Sequence, residues 1–166
     1  MIARPLDRDL DGPELEDLVA RLAAEERLWA HLVRHDPDER VYEELLRDSH
    51  VAVWLICWME DHDTGFHDHD RSAGAVAIVQ GAVTEDRLVL GRPPSSRTFG
   101  AGQAFSFAAS DIHRVRHAHD APAVTIHAYS PPLWRMGAYE VRPGGELARH
   151  SISYAEELRP LVADAG

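Results

Sequence analysis

The sequence predicts a mainly β fold, an antiparallel sandwich or barrel with helices in front, and three observations carry that reading. From Val51 onward, short runs rich in β-branched and aromatic residues are separated by Gly- and Pro-bearing turns, the spacing of an all-β domain. Before Val51, apolar residues recur at helical intervals. At 166 residues the chain has the length of one domain and can bury a core without disulfide or metal staples.

Residues 1–12 are polar and show no clear period. Asp11-Gly12-Pro13-Glu14 then reads as a helix start, with a cap residue, an early proline and an acid in the first turn. Leu15, Leu18, Val19, Leu22, Trp29, Leu32 and Val33 follow at helical spacing, so an amphipathic helix is expected over 13–34. Its apolar stripe reads as core packing rather than a partner surface. Asp36-Pro37-Asp38-Glu39 repeats the start signal, and Val41, Tyr42, Leu45 and Leu46 predict a second, shorter helix. Strands are expected at Val51–Trp58, at Ala75–Val79 and Ala82–Leu90 about the turn at Gly81, and at Gln103–Ala108, Ile112–His117, Ala123–Tyr129 and Ala138–Arg142. Gly91–Ser96, with its two prolines, reads as a loop. Pro143-Gly144-Gly145 opens a tail, where Ser153-Tyr154-Ala155-Glu156 has the pattern of a capping box for a last short helix ending near Val162. The expected organisation is a single domain over 1–166: a helical region at 13–50, a β-barrel at 51–142 and a C-terminal tail at 143–166.

Net charge is −11, from 17 basic and 28 acidic residues, which argues against a nucleic-acid or anionic-membrane partner. There is no apolar run of about 18 residues and no charged-then-apolar N-terminus, so neither a membrane span nor a signal peptide is expected. The single cysteine, Cys57, excludes an internal disulfide framework and fits a reducing cytoplasm.

The chemistry concentrates in Thr64-Gly65-Phe66-His67-Asp68-His69. On an extended backbone, residues two apart share a face, so the imidazoles of His67 and His69 can reach one metal ion. Asp68, between them, should point away, and with Glu60, Asp61, Asp63 and Asp70 it reads as part of a solvated face. Asp111-Ile112-His113 offers a third imidazole in another β-like segment. Three neutral histidines with open positions suit a catalytic divalent metal. Of the remaining histidines among the eleven, His62, His117 and His119 read as surface or supporting residues, and His31, His35, His50 and His150 as ordinary ones.

His67, His69 and Gly81 fall at the positions of the first cupin motif, with Gly74 where its acidic ligand stands. His113 falls where the second cupin motif has its histidine, with Ser110 and His117 in place of the usual Gly and Asn. Three histidines without the carboxylate, together with Trp54-Leu55-Ile56-Cys57-Trp58 and Thr125-Ile126-His127-Ala128-Tyr129-Ser130-Pro131-Pro132, resemble the cysteine dioxygenase (thiol dioxygenase) family of the cupins over residues 40–140. The resemblance implies a small jelly-roll-like barrel and a mononuclear non-haem Fe(II) centre on His67, His69 and His113. It implies oxidation of a small thiol with O2 to the sulfinate, with L-cysteine as substrate, or 3-mercaptopropionate or another thiol carboxylate. It also implies a monomer, and a Tyr129 seated over the iron. Gly74 stands where mammalian-type members carry a cysteine cross-linked to that tyrosine, so the cross-link is absent here, as in bacterial members.

Thr125, His127 and Tyr129 alternate along one strand and share a face. That spacing lets Thr125 orient His127 and His127 hydrogen-bond the Tyr129 hydroxyl, an orienting chain expected to be catalytic. For the substrate carboxylate, the family places an Arg or Gln two residues after a Tyr. Tyr42 matches that Tyr and is the candidate substrate-binding residue, but Glu44 follows, leaving Arg40, Arg47, Arg71 and Arg135 as candidate clamps, Arg71 and Arg135 foremost. Two other classes remain open on the residues alone: a Zn- or Mn-dependent cupin isomerase or lyase, and a cupin that only binds a small ligand.

Overall fold

A computed structural model describes residues 6–89, 91–143 and 146–153. Helix α1 (Gly12–Ala24) leads into single 3-10 turns at Glu26–Leu28 and Ala30–Leu32. The strands are β1 (Val41–Arg47), β2 (Ala52–Trp58), β3 (His67–Asp68), β4 (Ala73–Gln80), β5 (Ala82–Val89), β6 (Arg92–Gly100), β7 (Ala104–Phe107), β8 (His113–Ala118), β9 (Ala123–Ser130), β10 (Arg135–Val141) and β11 (Leu147–Ser153). They form two antiparallel sheets, one ordered β1-β2-β9-β4-β7 and the other β11-β10-β3-β8-β5-β6. No helix among the described residues is long and apolar enough to cross a membrane.

Strand parity divides the interior in two. Val53, Leu55 and Cys57 of β2, Ala75 and Ala77 of β4, and Val124, Ile126 and Ala128 of β9 face outward and are covered by Leu15, Leu18 and Val19 of α1. The alternate residues, among them Ile56, Trp58, Val76, Ile78 and Tyr129, face the second sheet and meet Val83, Phe99, Val115 and Met136. Strand β9 is therefore buried along its whole length, although its sequence alternates, with Val124, Ile126 and Ala128 toward the helix-covered core and Thr125, His127 and Tyr129 on the opposite face.

The N-terminus of α1 is capped as the sequence predicts: the Asp11 side chain accepts from Glu14 N, and Glu14 accepts from Asp11 N, both at 3.0 Å. The helix ends at Ala24, ten residues before the expected 34. The apolar period persists beyond it because the two 3-10 turns keep Leu28, Trp29, Leu32 and Val33 against the same core. The expected second helix is strand β1. Its register slips between Glu44 and Leu46, and this bulge turns both Leu45 and Leu46 toward the helix-covered core while Tyr42 faces the other, so a strand acquires a helix-like spacing.

Residues 92–96, expected as a loop, open β6. This strand lies at the edge of its sheet and pairs with β5, and Pro93 and Pro94 fall where the register shifts between Arg87 and Val89, an edge and a bulge being settings in which proline does not break a ladder. Residues 147–153, expected in the tail, form β11 along β10, and β10 itself begins at Arg135, three residues before the expected start. The helix expected to end near Val162 lies outside the described residues. Gly81 makes the β4–β5 turn with φ +68°, and a Cβ there would press on Pro122 O and Ala123, so only glycine fits without strain.

Candidate metal centre

His67 sits on β3 and pairs across the sheet with His113 of β8, and His69 follows one residue beyond β3. One nitrogen from each of the three imidazoles lies within 4.8 Å of the others, and all three side chains are buried. Their ring centroids are 4.7, 4.8 and 5.1 Å apart. Four buried side-chain polar atoms among the described residues have no hydrogen-bond partner, and three belong to this cluster: both nitrogens of His69 and Nε2 of His113. Orphaned buried nitrogens are costly and rare, so their convergence marks a position for an electron-pair acceptor.

The protonation of the imidazoles fits a cation. Burial, then the neighbouring imidazoles, holds His69 well below its ordinary value. Burial likewise pushes His113 down to about 4 against the opposing pull of Glu85. His113 Nδ1 lies 2.8 Å from Glu85 Oε1. Burial raises the Glu85 carboxyl, but hydrogen bonds from His113 and Arg87 outweigh it and hold the group below its usual range. Neutral His113 thus donates from Nδ1 to a carboxylate and keeps its lone pair on Nε2. His67 Nδ1 is 3.0 Å from Gly65 O. A carbonyl only accepts, so His67 Nδ1 carries a proton and Nε2 is the nitrogen a metal would take. A divalent metal needs such neutral imidazole nitrogens, and these residues supply them.

Asp68 points away from the triad, as strand parity requires, but it is buried rather than solvated. It accepts from Tyr139 Oη at 2.6 Å and from Arg149 Nε and Nη2 at 2.7 and 2.9 Å. Burial raises this carboxyl, yet the bonds from Arg149 and Tyr139 prevail and set it at about 2. The expectation of a solvated face holds for Glu60, Asp61, Asp63 and Asp70, which are exposed. It fails for Asp68 because β10 and β11 close over β3 and bring a guanidinium to it.

Facing the triad across the cavity is the centre of β9. Thr125 Oγ1 lies 2.8 Å from His127 Nε2, and His127 Nδ1 lies 3.2 Å from the Tyr129 hydroxyl. Trp58 Nε1 donates to the same Thr125 oxygen at 2.8 Å. Burial, then the charges of His113, Arg40 and His67, pushes His127 down to about 3, so its single proton sits on either Nδ1 or Nε2. The Tyr129 ring centroid is 5.3 Å from that of His69. The structure therefore brings His127 and Tyr129 to one cavity with His67, His69 and His113, while Thr125, fully buried, stands behind His127 and does not line the cavity.

The rest of the wall is mostly aromatic and aliphatic: Trp54, Ile56, Trp58, Phe107, Val115 and Leu133, with Tyr42 edge-on to Trp54. Among the described residues lining the cavity, the one Lys or Arg is Arg40, whose guanidinium carbon is 5.5 Å from the Trp58 ring centre. Arg40 precedes β1, and strand spacing gives it the same face as Tyr42. Arg71 and Arg135, the foremost expected clamps, do not line this cavity but a surface groove beside Trp134 on the other side of His69, which borders both. Arg47 stacks on Trp54 and pairs with Glu44. Sequence reasoning missed Trp58, Phe107 and Glu85 as members of the site. Glu85 lies inside β5 beside the buried Val83 and Thr84, and nothing in its local sequence ties it to His113.

With this geometry in hand, comparisons place the chain among known proteins. The profile of the family described as cysteine dioxygenase type I matches residues 7–142. Cysteine dioxygenase type 1 of Rattus norvegicus is 31% identical over 101 residues, 55% of this chain and 50% of that protein. The Homo sapiens protein is 28% identical over 101 residues, with the same shares, so the chain spans about half the length of these curated relatives. Among solved structures, a Klebsiella pneumoniae protein with a double-stranded β-helix domain superposes with TM-score 0.53 at 12% identity, over 72% of this chain and 91% of that one. A cupin superfamily protein of Desulfitobacterium hafniense gives TM-score 0.52 at 12% identity, over 62% and 87%. Likeness at such identity concerns the fold: a cupin barrel.

Proposed function

The chain belongs to the cysteine dioxygenase type I family, and from that premise we propose that it is an Fe(II) thiol dioxygenase converting a small thiol carboxylate, RSH, with O2 to its sulfinate, RSO2H. The observation that carries this reading is one cavity in which three buried imidazoles converge, those of His69 and His113 with unpartnered nitrogens, opposite His127 and Tyr129 of the Thr125–His127–Tyr129 chain. His67, His69 and His113 would hold the metal. Fe(II) bound there would supply the coordination of sulfur and the activation of O2.

The remaining steps fall to the protein's own side chains. Arg40, in place of Arg71 or Arg135, and the Tyr42 hydroxyl would take the substrate carboxylate at the cavity wall. Trp54, Ile56, Val115 and Leu133 exclude water, which strengthens that pairing by lowering the local dielectric. The thiol is thereby oriented toward the triad, converting an encounter into a positioned reaction. The Tyr129 hydroxyl is fixed by His127, which is fixed in turn by Thr125 and the indole N–H of Trp58, so it presents a hydrogen bond to the reacting sulfur and oxygen atoms at no cost in reorganisation.

L-Cysteine is the first substrate to test, and one observation favours a second reading. The described residues lining the cavity include no carboxylate, so a free ammonium finds no ionic partner there, as 3-mercaptopropionate would not require one. Incubation of iron-loaded protein with each thiol under 18O2 tests the proposal: the sulfinate should carry both labelled atoms. Labelled product from neither thiol would favour the isomerase or ligand-binding classes.

A further inference from the structure

The donor set lacks a carboxylate because Gly74 occupies its place, yet a carboxylate stands directly behind one of the imidazoles. Glu85 lies on β5, next to β8, with its side chain 7% exposed and Oε1 at 2.8 Å from His113 Nδ1. The partner of His67 Nδ1 is, by contrast, a neutral main-chain carbonyl. Glu85 is itself held: Arg87 Nη2 donates to the same oxygen at 2.8 Å, and Arg87 Nη1 reaches Asp111 at 3.1 Å, two residues before His113. A further bond from Arg87 to Ser106 O at 3.2 Å anchors the guanidinium.

Resting on the metal reading above, we infer that Glu85 is the positioning residue of the centre, fixing the His113 tautomer and ring and returning one negative charge to the site at one remove. A carboxylate that accepts from the far nitrogen of a ligating imidazole makes the near nitrogen a stronger donor and prevents the ring from turning. Three neutral imidazoles leave a bound dication uncompensated, and Glu85 is where this chain offsets that charge without taking a coordination position. Arg87 and Asp111 keep the carboxylate from swinging away.

Anaerobic titration of Fe(II), and of Co(II) as a stable substitute, into wild type, Glu85→Gln and Glu85→Ala tests this. The expected result is a 10–100-fold loss of affinity in Glu85→Ala. Glu85→Gln, which keeps the acceptor oxygen but not the charge, should show a smaller loss and an altered Co(II) absorption spectrum. If Glu85→Ala does not fold, Glu85→Gln alone decides. Folded Gln or Ala variants that bind both metals with wild-type affinity and spectrum would overturn the inference while leaving the metal reading intact. Wild type that binds neither metal would overturn both.

Discussion

Phe107 and Gly74 share one volume: the Phe107 ring stands where a Cβ on residue 74 would lie, and the same ring stacks on His69 with centroids 4.5 Å and planes 25° apart. The absent side chain at 74 is thus filled by an aromatic wall that also seats a candidate ligand. Gly74→Ala should cost about 1–3 kcal/mol by overpacking and lower metal affinity by displacing His69. Combined with Phe107→Ala, the losses should be strongly non-additive. Chemical denaturation of the two single variants and the double variant checks this; additive losses would deny the shared volume.

Removing a ligand should remove the metal. His113→Ala is expected to abolish stoichiometric Fe(II) binding while the fold survives, measured by metal analysis after desalting. Iron retained at full stoichiometry would exclude His113 as a ligand.

The buried imidazoles give the metal-free protein a defined pH dependence. His113 and His127 have folded values of about 4 and about 3, below the ordinary 6.5. The unfolded chain therefore binds more protons between pH 6.5 and those values, and stability must fall as pH drops through that window. Asp68 and Asp86, both held at about 2 against 3.8, lose their contribution only below pH 3.8. Melting temperature against pH should thus decline first between 6.5 and 4, and His127→Asn should flatten that slope. A wild-type curve flat over this range would contradict neutral buried imidazoles.

Asp68 ties β3 to β10 and β11 through Arg149 and Tyr139. Asp68→Ala removes the acceptor of the Tyr139 hydroxyl and the main partner of the partly exposed Arg149, which keeps Asp70 at 3.9 Å, and a loss of about 1–2 kcal/mol is expected, with weakened metal binding because both flanking histidines ride on that segment. Thermal melting with and without Co(II) separates the two effects.

Arg40→Ala should raise KM for cysteine and 3-mercaptopropionate by tenfold or more, the order of one charge-assisted hydrogen bond, and leave cysteamine, which has no carboxylate, unaffected. Arg71→Ala and Arg135→Ala should change neither. Equal effects on all three thiols would remove Arg40 from carboxylate binding.

Much of this site could be read from spacing. His67 and His69 two apart, and Thr125, His127 and Tyr129 alternating, follow from strand parity alone, and His113 from its place in the motif order. What escaped depended on contacts between distant strands. The bulge after Glu44 disguised β1 as a helix and so concealed that Arg40 and Tyr42 share the cavity face. Glu85 meets His113 across 28 positions of sequence and Asp68 meets Arg149 across 81, separations at which an acid in a strand looks like any other. Two prolines suggested a loop at 92–96 because edge position, which makes them tolerable, is a property of the sheet and not of the segment.

Oxygen consumption by the iron-loaded protein, with cysteine and 3-mercaptopropionate as substrates, tests the central claim most directly. The account predicts uptake of one O2 per sulfinate formed, lost on iron removal and reduced at least tenfold in Tyr129→Phe, which should keep its iron. Fully iron-loaded protein that consumes no oxygen with any small thiol would contradict it.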